Sequence, residues 1–476
     1  MSIKNFFVDL HGCAKNQVDA EILIGIMEGL GWSNCDSAES ADLIIVNSCG
    51  FIESAKEESI NAVINAKAVN PRAKILLAGC LAERYAEILK TDLPEADAVF
   101  GNGDLSRLPE VVERLFTKEK IKKSVLTPPQ IGVCGGCRPK ILNFPRSAYI
   151  KITEGCDNFC SFCAIPIIRG RLRSRPIAEI TSEITEFVKK DFYEFNLIGQ
   201  DLAAFQAEKN SAESGLAQLL TAISKIKGEF KVRLLYIHPD HFPLDILPIV
   251  TSDTRFLPYF DIPFQSGSEK IIKAMNRKGS PEIYLRLAEK IREAFKNSKS
   301  PYGEPCLRTT FLSGFPNETD NDFAATVDFL KNLKPLWSGG FTYSREEDTA
   351  SYSFKNRVPK KIAEKRLAQI RELQTGITEK KLEEFIGKTL EVLVEELIPL
   401  GGESADSVNL NAAAENNGTV LALGRAWFQA PEVDGAVVLS FANGKKDLSG
   451  KPIHAGSVVK AKIISRNGFD LEAAVK

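Results

Sequence analysis

Short β-rich apolar segments alternate regularly with longer stretches of helical periodicity, and this alternation runs through the chain twice. In residues 1 to about 116, KNFFVDL, ADLIIVN, AKILLAG and AVFGN read as buried strands, with VDAEILIGIMEGL, ESAKEESINAVINAKA and AERYAEILKTDL as helices between them. Strands separated by helices cannot pair as hairpins, so this segment predicts an open parallel sheet. Between about 147 and 375 the pattern recurs with six strands, SAYIKIT, EFNLIG, VRLLYIH, YFDIPF, LRTTFLSG and GGFTYS, and helices such as AEITSEITEFVKK and GLAQLLTAISKI. Six such units predict an open or partial (β/α) barrel. A helical stretch, VPKKIAEKRLAQIRELQTGITEKKLEEF, leads into a segment from about 386 where LEVLVEEL, TVLALGRA, GAVVLSF and SVVKAKIIS are broken by Gly and Asn. That segment predicts a small antiparallel β-barrel.

At 476 residues the chain is too long for one core. It divides into units at 1–116, 147–375 and 376–476, with 117–146, which holds KEKIKK, TPP and a CGGC at Cys134 to Cys137, as a linker. A composition 44% hydrophobic and 26% charged excludes long disorder and fibrous repeats. With 61 basic against 62 acidic residues, bulk attraction to nucleic acid is disfavoured. No secretory pattern opens MSIKNFFVDLHGC, and apolar runs such as LIIV fall far short of a membrane span, so a cytoplasmic protein is expected. In that reducing compartment ten cysteines point to metal ligation rather than disulfides.

Cys13, Cys49 and Cys80 each follow a strand of the first unit, at intervals of one βα unit. All strand carboxyl ends of an open parallel sheet lie along one edge, so three thiols from three loops can meet there. The competing reading is that Cys49 and Cys80 fill the core as small apolar residues. A second set, Cys156, Cys160 and Cys163, forms a C-x3-C-x2-C in TEGCDNFCSFCAIP after the first strand of the second unit. In barrels that edge carries the chemistry, and Gln200, Asp201, His238, Gln265, Ser344 and Arg345 also follow strands there. Three thiols on a four-iron cluster leave one iron open for a small chelating cosubstrate, whereas a zinc site would need a fourth ligand from elsewhere. The CGGC reads as a redox dithiol, a metal half-site or a loop decoration without catalytic consequence.

The C-x3-C-x2-C after the first strand of a partial barrel resembles the radical S-adenosylmethionine superfamily. HGCAKNQVDAE, NSCGF, AGCLAER, IPIIRGRLRSR, GQD at Gly199 to Asp201 and GFPNET at Gly314 to Thr319 narrow the resemblance to the methylthiotransferases. These have an N-terminal domain, a radical barrel and a C-terminal TRAM domain. The resemblance implies that Cys156, Cys160 and Cys163 hold a 4Fe-4S cluster whose open iron binds S-adenosylmethionine, with Phe162 near the adenine and Gln200, Asp201 and Gln265 as further contacts. It also implies that Cys13, Cys49 and Cys80 hold a second 4Fe-4S cluster for sulfur delivery. Cys35, Cys134, Cys137 and Cys306 fall outside these positions. The family reaction replaces an unactivated C–H by C–S–CH3; such a hydrogen offers no acidity to a general base, so a radical must remove it. One S-adenosylmethionine supplies the radical and a second the methyl group, and an electron donor and a sulfur source are needed.

Two substrates fit that reaction: the β-carbon of an aspartate in small-subunit ribosomal protein twelve, or an adenosine next to the tRNA anticodon. GCAKNQVDAE is closer to the GC-x-KN-x-VD-x-E form of the ribosomal-protein branch than to the GCQMN form of the adenosine branch, and YSREEDTASY is similar to that branch's YSPEEGTAA. Ala14, where proline is usual, and the CGGC linker depart from the pattern. Arg169, Arg171, Arg173 and Arg175 invite a nucleic-acid reading, but both branches share this signature, and the reading in which alternate arginines bind the cosubstrate or pair with barrel acids is favoured. Residues 386–476 carry nine basic against eleven acidic side chains, and an acidic face including Glu391, Glu395, Glu396 and Glu403 suits a basic protein better than RNA. A contrasting reading, a non-catalytic iron-sulfur RNA-binding module, predicts clusters without cleavage of S-adenosylmethionine.

Overall fold

The computed structural model describes residues 4–117, 124–130, 132–133, 135–207, 211–398 and 418–476. Apolar runs flanked by helical segments pair in parallel twice, as the alternation requires. The first sheet contains β1 (Asn5–Leu10), β2 (Ser33–Asn34), β3 (Leu43–Ser48), β4 (Lys74–Gly79), β5 (Ala98–Phe100) and β6 (Ser124–Leu126), ordered β2-β1-β3-β4-β5-β6 with every pair parallel. β3 is buried along its whole length, as expected of a strand covered on both faces. Four of these strands are legible in the sequence. β2 and β6, of two and three residues, are too short to carry a pattern, and β6 pairs a piece of the expected linker to the sheet edge.

The central sheet contains β7 (Ser147–Lys151), β10 (Glu194–Ile198), β11 (Lys231–Leu234), β12 (Phe256–Asp261), β13 (Cys306–Ser313) and β14 (Trp337–Thr342). Its order, β14-β13-β12-β11-β10-β7, is sequential, parallel and open, which is the partial barrel expected. Between β7 and β10 a short antiparallel pair, β8 (Thr153–Glu154) with β9 (Arg173–Ser174), staples both ends of the loop that carries Cys156, Cys160 and Cys163. Gly155 at the start of that loop has φ 76°, and a Cβ there would meet the Arg171 carbonyl oxygen at 2.1 Å, so the crossing of the two chain segments requires glycine.

The third unit is a closed barrel of β15 (Thr389–Ile398), β16 (Thr419–Arg425), β17 (Val437–Ala442), β18 (Val458–Asn467) and β19 (Asp470–Val475), ordered β15-β16-β17-β19-β18. It departs from the expected antiparallel barrel in one respect, because β17 and β19 pair in parallel to close the ring. The segment between β16 and β17 packs into the partial barrel from the end where its strands begin. There Trp337 Nε1 donates to the Phe428 carbonyl at 2.6 Å, Arg233 to the Trp427 carbonyl at 2.6 Å, and Tyr259 Oη to Asp434 at 2.6 Å. Glu194 binds Arg233 at 2.8 Å and Arg425 at 2.6 Å, and Arg425 also holds Glu395. The acidic face expected on this barrel is therefore smaller than the sequence suggests. Glu391 and Glu396 are exposed, but Glu395 is buried because it serves as a counter-ion to Arg425, and Glu403 lies outside the described residues.

Candidate active site

Cys13, Cys49 and Cys80 stand on adjacent loops at the carboxyl edge of the first sheet. Cys13 precedes the helix Ala14–Gly29, Cys49 follows β3, and Cys80 opens the helix Cys80–Asp92 directly after β4. A Cβ on Gly12 would lie 3.1 Å from Cys49 Cβ, and one on Gly50 would lie 2.9 Å from the Cys80 backbone, so the three loops are in contact. Gly79, at φ 92°, lets the chain turn beneath Asn47, whose Oδ1 would be 2.6 Å from an added Cβ.

The second set lies on the stapled loop. Cys163 N donates to the Cys160 carbonyl at 2.9 Å, Asn158 Nδ2 donates to Cys156 Sγ at 3.3 Å, and His238 Nε2 lies 3.8 Å from Cys160 Sγ. The middle of the loop is tied to the barrel, Ser161 Oγ donating to the Ala274 carbonyl at 2.8 Å and Asn276 Nδ2 to that of Phe159 at 2.9 Å. The two sets approach each other because Cys80 packs on Ala164 and Ile168, just beyond Cys163.

Buried charges form the seam between the sets. Arg169 donates to Cys80 Sγ at 3.1 Å and to Asn16 Oδ1 at 2.6 Å, and pairs with Asp19 at 2.8 Å and Glu154 at 3.0 Å. Lys151 contacts the same two carboxylates at 2.5 and 2.7 Å. Two cations thus face two anions, and burial is tolerated because each has partners. Burial alone would raise Glu154, but Arg169 and Lys151 hold it well below the usual carboxylate range.

The thiols respond to the same environment. Burial pushes Cys80 and Cys163 up to about 12 and Cys156 up to about 11, and raises Cys49. For Cys13, desolvation is outweighed by Lys15 and Arg169, which bring its thiol below the ordinary value. Without metal most of these sulfurs are protonated at neutral pH, so iron binding must expel protons. Among the described residues, no three His, Cys, Asp or Glu side chains close around a single metal ion.

Among the other residues singled out from sequence, Asp201 is saturated. Its Oδ1 accepts from Ala203 N at 2.9 Å and His238 N at 3.1 Å, and its Oδ2 from Asn158 at 2.8 Å and His241 at 2.6 Å. Gln200 donates to Glu154 at 2.9 Å while its buried Oε1 has no partner. Gln265 is held at φ 70° by backbone bonds to Thr310 and Leu312, and its side-chain amide makes no hydrogen bond to a described residue. Phe162 packs on Ile271, Met275 and Phe315. Ser344 binds Glu346 at 2.6 Å, and Arg345 stacks on Tyr352 at 3.6 Å. Of the four arginines, Arg169 meets acids as above, Arg171 pairs with Asp157 at 2.8 Å and Arg175 with Glu183 at 2.7 Å, and Arg173 donates to the Gly132 carbonyl at 2.5 Å. Cys35 donates to the Phe6 carbonyl at 3.3 Å, Cys306 is buried against the Phe428 carbonyl, Cys137 is exposed, and Cys134 lies outside the described residues.

Sequence reasoning passed over Asn158, His241 and the quartet of Lys151, Asp19, Glu154 and Arg169 as a unit. One signal was available for Asp19: the helix Ala14–Gly29 is polar and apolar on all sides, so it has no solvated face, and Lys15, Asn16, Gln17, Asp19 and Glu21 are all buried.

An open parallel partial barrel with three thiols on the loop after its first strand, facing a second three-thiol edge, defines a radical S-adenosylmethionine protein with an added thiol-bearing domain. Family models agree along the chain: Uncharacterized protein family UPF0004 over residues 5–101, the Radical SAM superfamily over 150–330 and a TRAM domain over 386–475. The chain is 69% identical to the ribosomal protein uS12 methylthiotransferase RimO of Treponema denticola, across 98% of this chain and 99% of that one. It is 36% identical to the RimO of Aquifex aeolicus, across 97% and 94%. The chain belongs to the RimO family of radical S-adenosylmethionine methylthiotransferases, which work with S-adenosylmethionine and 4Fe-4S clusters. The radical S-adenosylmethionine methyltransferase TsrM of Kitasatospora setae shares the fold, with a TM-score of 0.52 at 14% identity over 71% of this chain and 73% of that one.

Proposed function

We propose that this chain methylthiolates the β-carbon of an aspartate in ribosomal protein uS12, with Cys156, Cys160 and Cys163 holding the radical cluster and Cys13, Cys49 and Cys80 the second. The observation that carries this is the approach of the two sets, Cys80 packing on Ala164 and Ile168, just beyond Cys163, while Arg169 of the same segment donates to Cys80 Sγ. The relatives named above carry the uS12 activity in their names, which favours the ribosomal protein over tRNA.

The donor set fits the groups. Each set offers three thiols, which leaves an iron of a four-iron cluster open, and the unpartnered Gln200 Oε1 and free Gln265 amide suit a small polar cosubstrate nearby. When bound, the cluster and S-adenosylmethionine supply a carbon radical that removes hydrogen from an unactivated carbon. The protein's own part is positional. Asn158 and the stapled loop fix Cys156, the Arg169 quartet seals the seam against water, and burial keeps His238, lowered to about 3, neutral beside Cys160. Asp201, saturated within the protein, orients Asn158 and His241 instead of touching the cosubstrate. No helix among the described residues is long and apolar enough to cross a membrane, and a cytoplasmic site of action goes with a ribosomal substrate. The working units are 1–116, 147–375 and 376–476.

Mass spectrometry of uS12 and of tRNA from a strain lacking this gene tests the proposal. The expected result is loss of the methylthio group from uS12 with tRNA unchanged. Loss from tRNA alone overturns it.

A further inference from the structure

Among the described residues, the buried quartet at the seam closes on itself. Lys151 and Arg169 are matched by Asp19 and Glu154, but Lys15, only 9% exposed in the first turn of the helix Ala14–Gly29, has no described carboxylate within ion-pair distance, and its charge is felt by the neighbouring Cys13 sulfur alone on its own loop. Its Nζ lies 3.6 Å from the ring centre of Tyr236, and among the described residues it makes no hydrogen bond or ion pair. Tyr236 comes just after β11, two residues before His238, whose ring reaches Cys160. Lys15 is two residues from Cys13. The ammonium therefore stands between the first thiol set and the barrel's carboxyl edge, where a substrate must enter to meet both.

A cation stripped of water and left on an aromatic face is destabilising unless an anion completes it. The ribosomal-protein substrate proposed above supplies one, since its reacting carbon is bonded directly to a carboxylate. We propose that Lys15 is the carboxylate subsite, its ammonium binding the side-chain carboxylate of the substrate aspartate so that the adjacent β-carbon is presented between the two thiol sets. This rests on the proposed function and names the feature that recognises its substrate.

The test compares wild-type enzyme with Lys15→Met and Lys15→Arg, each anaerobically loaded with iron and sulfide, on uS12 carrying its aspartate or asparagine at the modified position. Methylthio product gives kcat/KM, titration gives the Kd of each uS12 form, and iron content and deoxyadenosine formation report on the clusters. A charge-assisted contact predicts that wild type favours aspartate by about tenfold to hundredfold. Lys15→Met should bring that ratio close to one in both Kd and kcat/KM, with iron and uncoupled cleavage retained, and Lys15→Arg should keep most of it. An unchanged ratio in Lys15→Met overturns the subsite and leaves the proposed function standing. Equal losses on both forms together with loss of iron also overturn it, since Lys15 would then serve the second thiol set. If wild type modifies neither form of uS12 but methylthiolates tRNA, the proposed function fails and the subsite with it.

Discussion

Replacing Glu194 by Gln isolates the buried pairing that docks the third barrel onto the partial barrel. The Glu194 carboxylate accepts five hydrogen bonds, from Arg233 Nη2 at 2.8 Å, Arg425 Nη1 and Nη2 at 3.1 and 2.6 Å, Ser147 Oγ at 3.0 Å and Asn196 Nδ2 at 3.3 Å. Two arginines here face two glutamates, Glu194 and Glu395. Glutamine keeps the shape but leaves one uncompensated buried cation and turns an NH2 toward guanidinium donors. Breaking a buried pair from one side costs about 3 to 5 kcal/mol, a factor above about a hundred in the docking equilibrium. Hydrogen exchange at β16 and β17 should report this as faster opening of the third barrel, with the first sheet less affected. The pH dependence has a definite sign. Burial opposes ionisation of Glu194, but Arg425 and Arg233 hold its carboxyl far below the usual range. Its contribution is therefore complete above the unfolded value of about 4.3 and is lost as pH falls toward the folded value. The gap between wild type and Glu194→Gln should narrow below about pH 4. A loss under about 1 kcal/mol at pH 7, or a gap that widens in acid, would refute the ion-pair account of docking.

Cys156→Ala, Cys160→Ala or Cys163→Ala should abolish deoxyadenosine formation, whereas Cys13→Ala, Cys49→Ala or Cys80→Ala should retain cleavage and lose methylthiolation; full product from the second group contradicts a role for that edge. Arg84 pairs with Glu346 at 2.7 Å, both buried, and links the first unit to the loop after β14. Glu346→Gln should therefore loosen that contact and lower product formed per deoxyadenosine, measured by chromatography, and an unchanged ratio would remove it from the assembly of the site. Replacing the exposed Glu391 and Glu396 by Lys should slow modification of uS12 and flatten its salt dependence; a faster reaction with uS12 would reverse the charge argument. Cys137→Ser should leave iron content unchanged, and a loss of about half would place this exposed thiol in a cluster.

The parts of the molecule legible in the sequence are those written as local periodicity. All six strands of the partial barrel, four of the six in the first sheet and four of the five in the third barrel carry their own apolar signal, and strand order follows from helical crossovers. β2 and β6 carry none, since two or three residues cannot show a period, and β6 exists only because a sheet edge was there to pair with it. β19 has the pattern DLEAAV, whose alanines give it a weak apolar face, and its parallel partner β17 was not foreseeable from spacing. The thiols were visible because their chemistry and their place after strands coincide. Asn158, His241 and Lys15 were not, because a polar side chain gains meaning only from what lies opposite it, and those partners are 43, 40 and 221 residues away in the chain.

The burial of so many polar groups in one helix follows from where that helix sits. An amphipathic helix presents one face to water, but Ala14–Gly29 lies between the first sheet and the partial barrel, with Asp19 reaching Lys151 and Arg169 on one side and Glu21 reaching Arg138 at 2.9 Å from the linker. Isolated, each of these charges would destabilise the fold by several kcal/mol. Paired across the junction, they make docking of the two units conditional on correct register, since a displaced helix would strand two anions and two cations together. An apolar junction of equal area would tolerate sliding, because dispersion contacts are nearly interchangeable. The chemistry proposed for the two thiol sets needs a fixed separation between them. The paired seam ties the two units at a defined register, and the third barrel, held at the opposite end by Glu194 and Arg425, leaves the thiol-bearing edge of the partial barrel to the first unit.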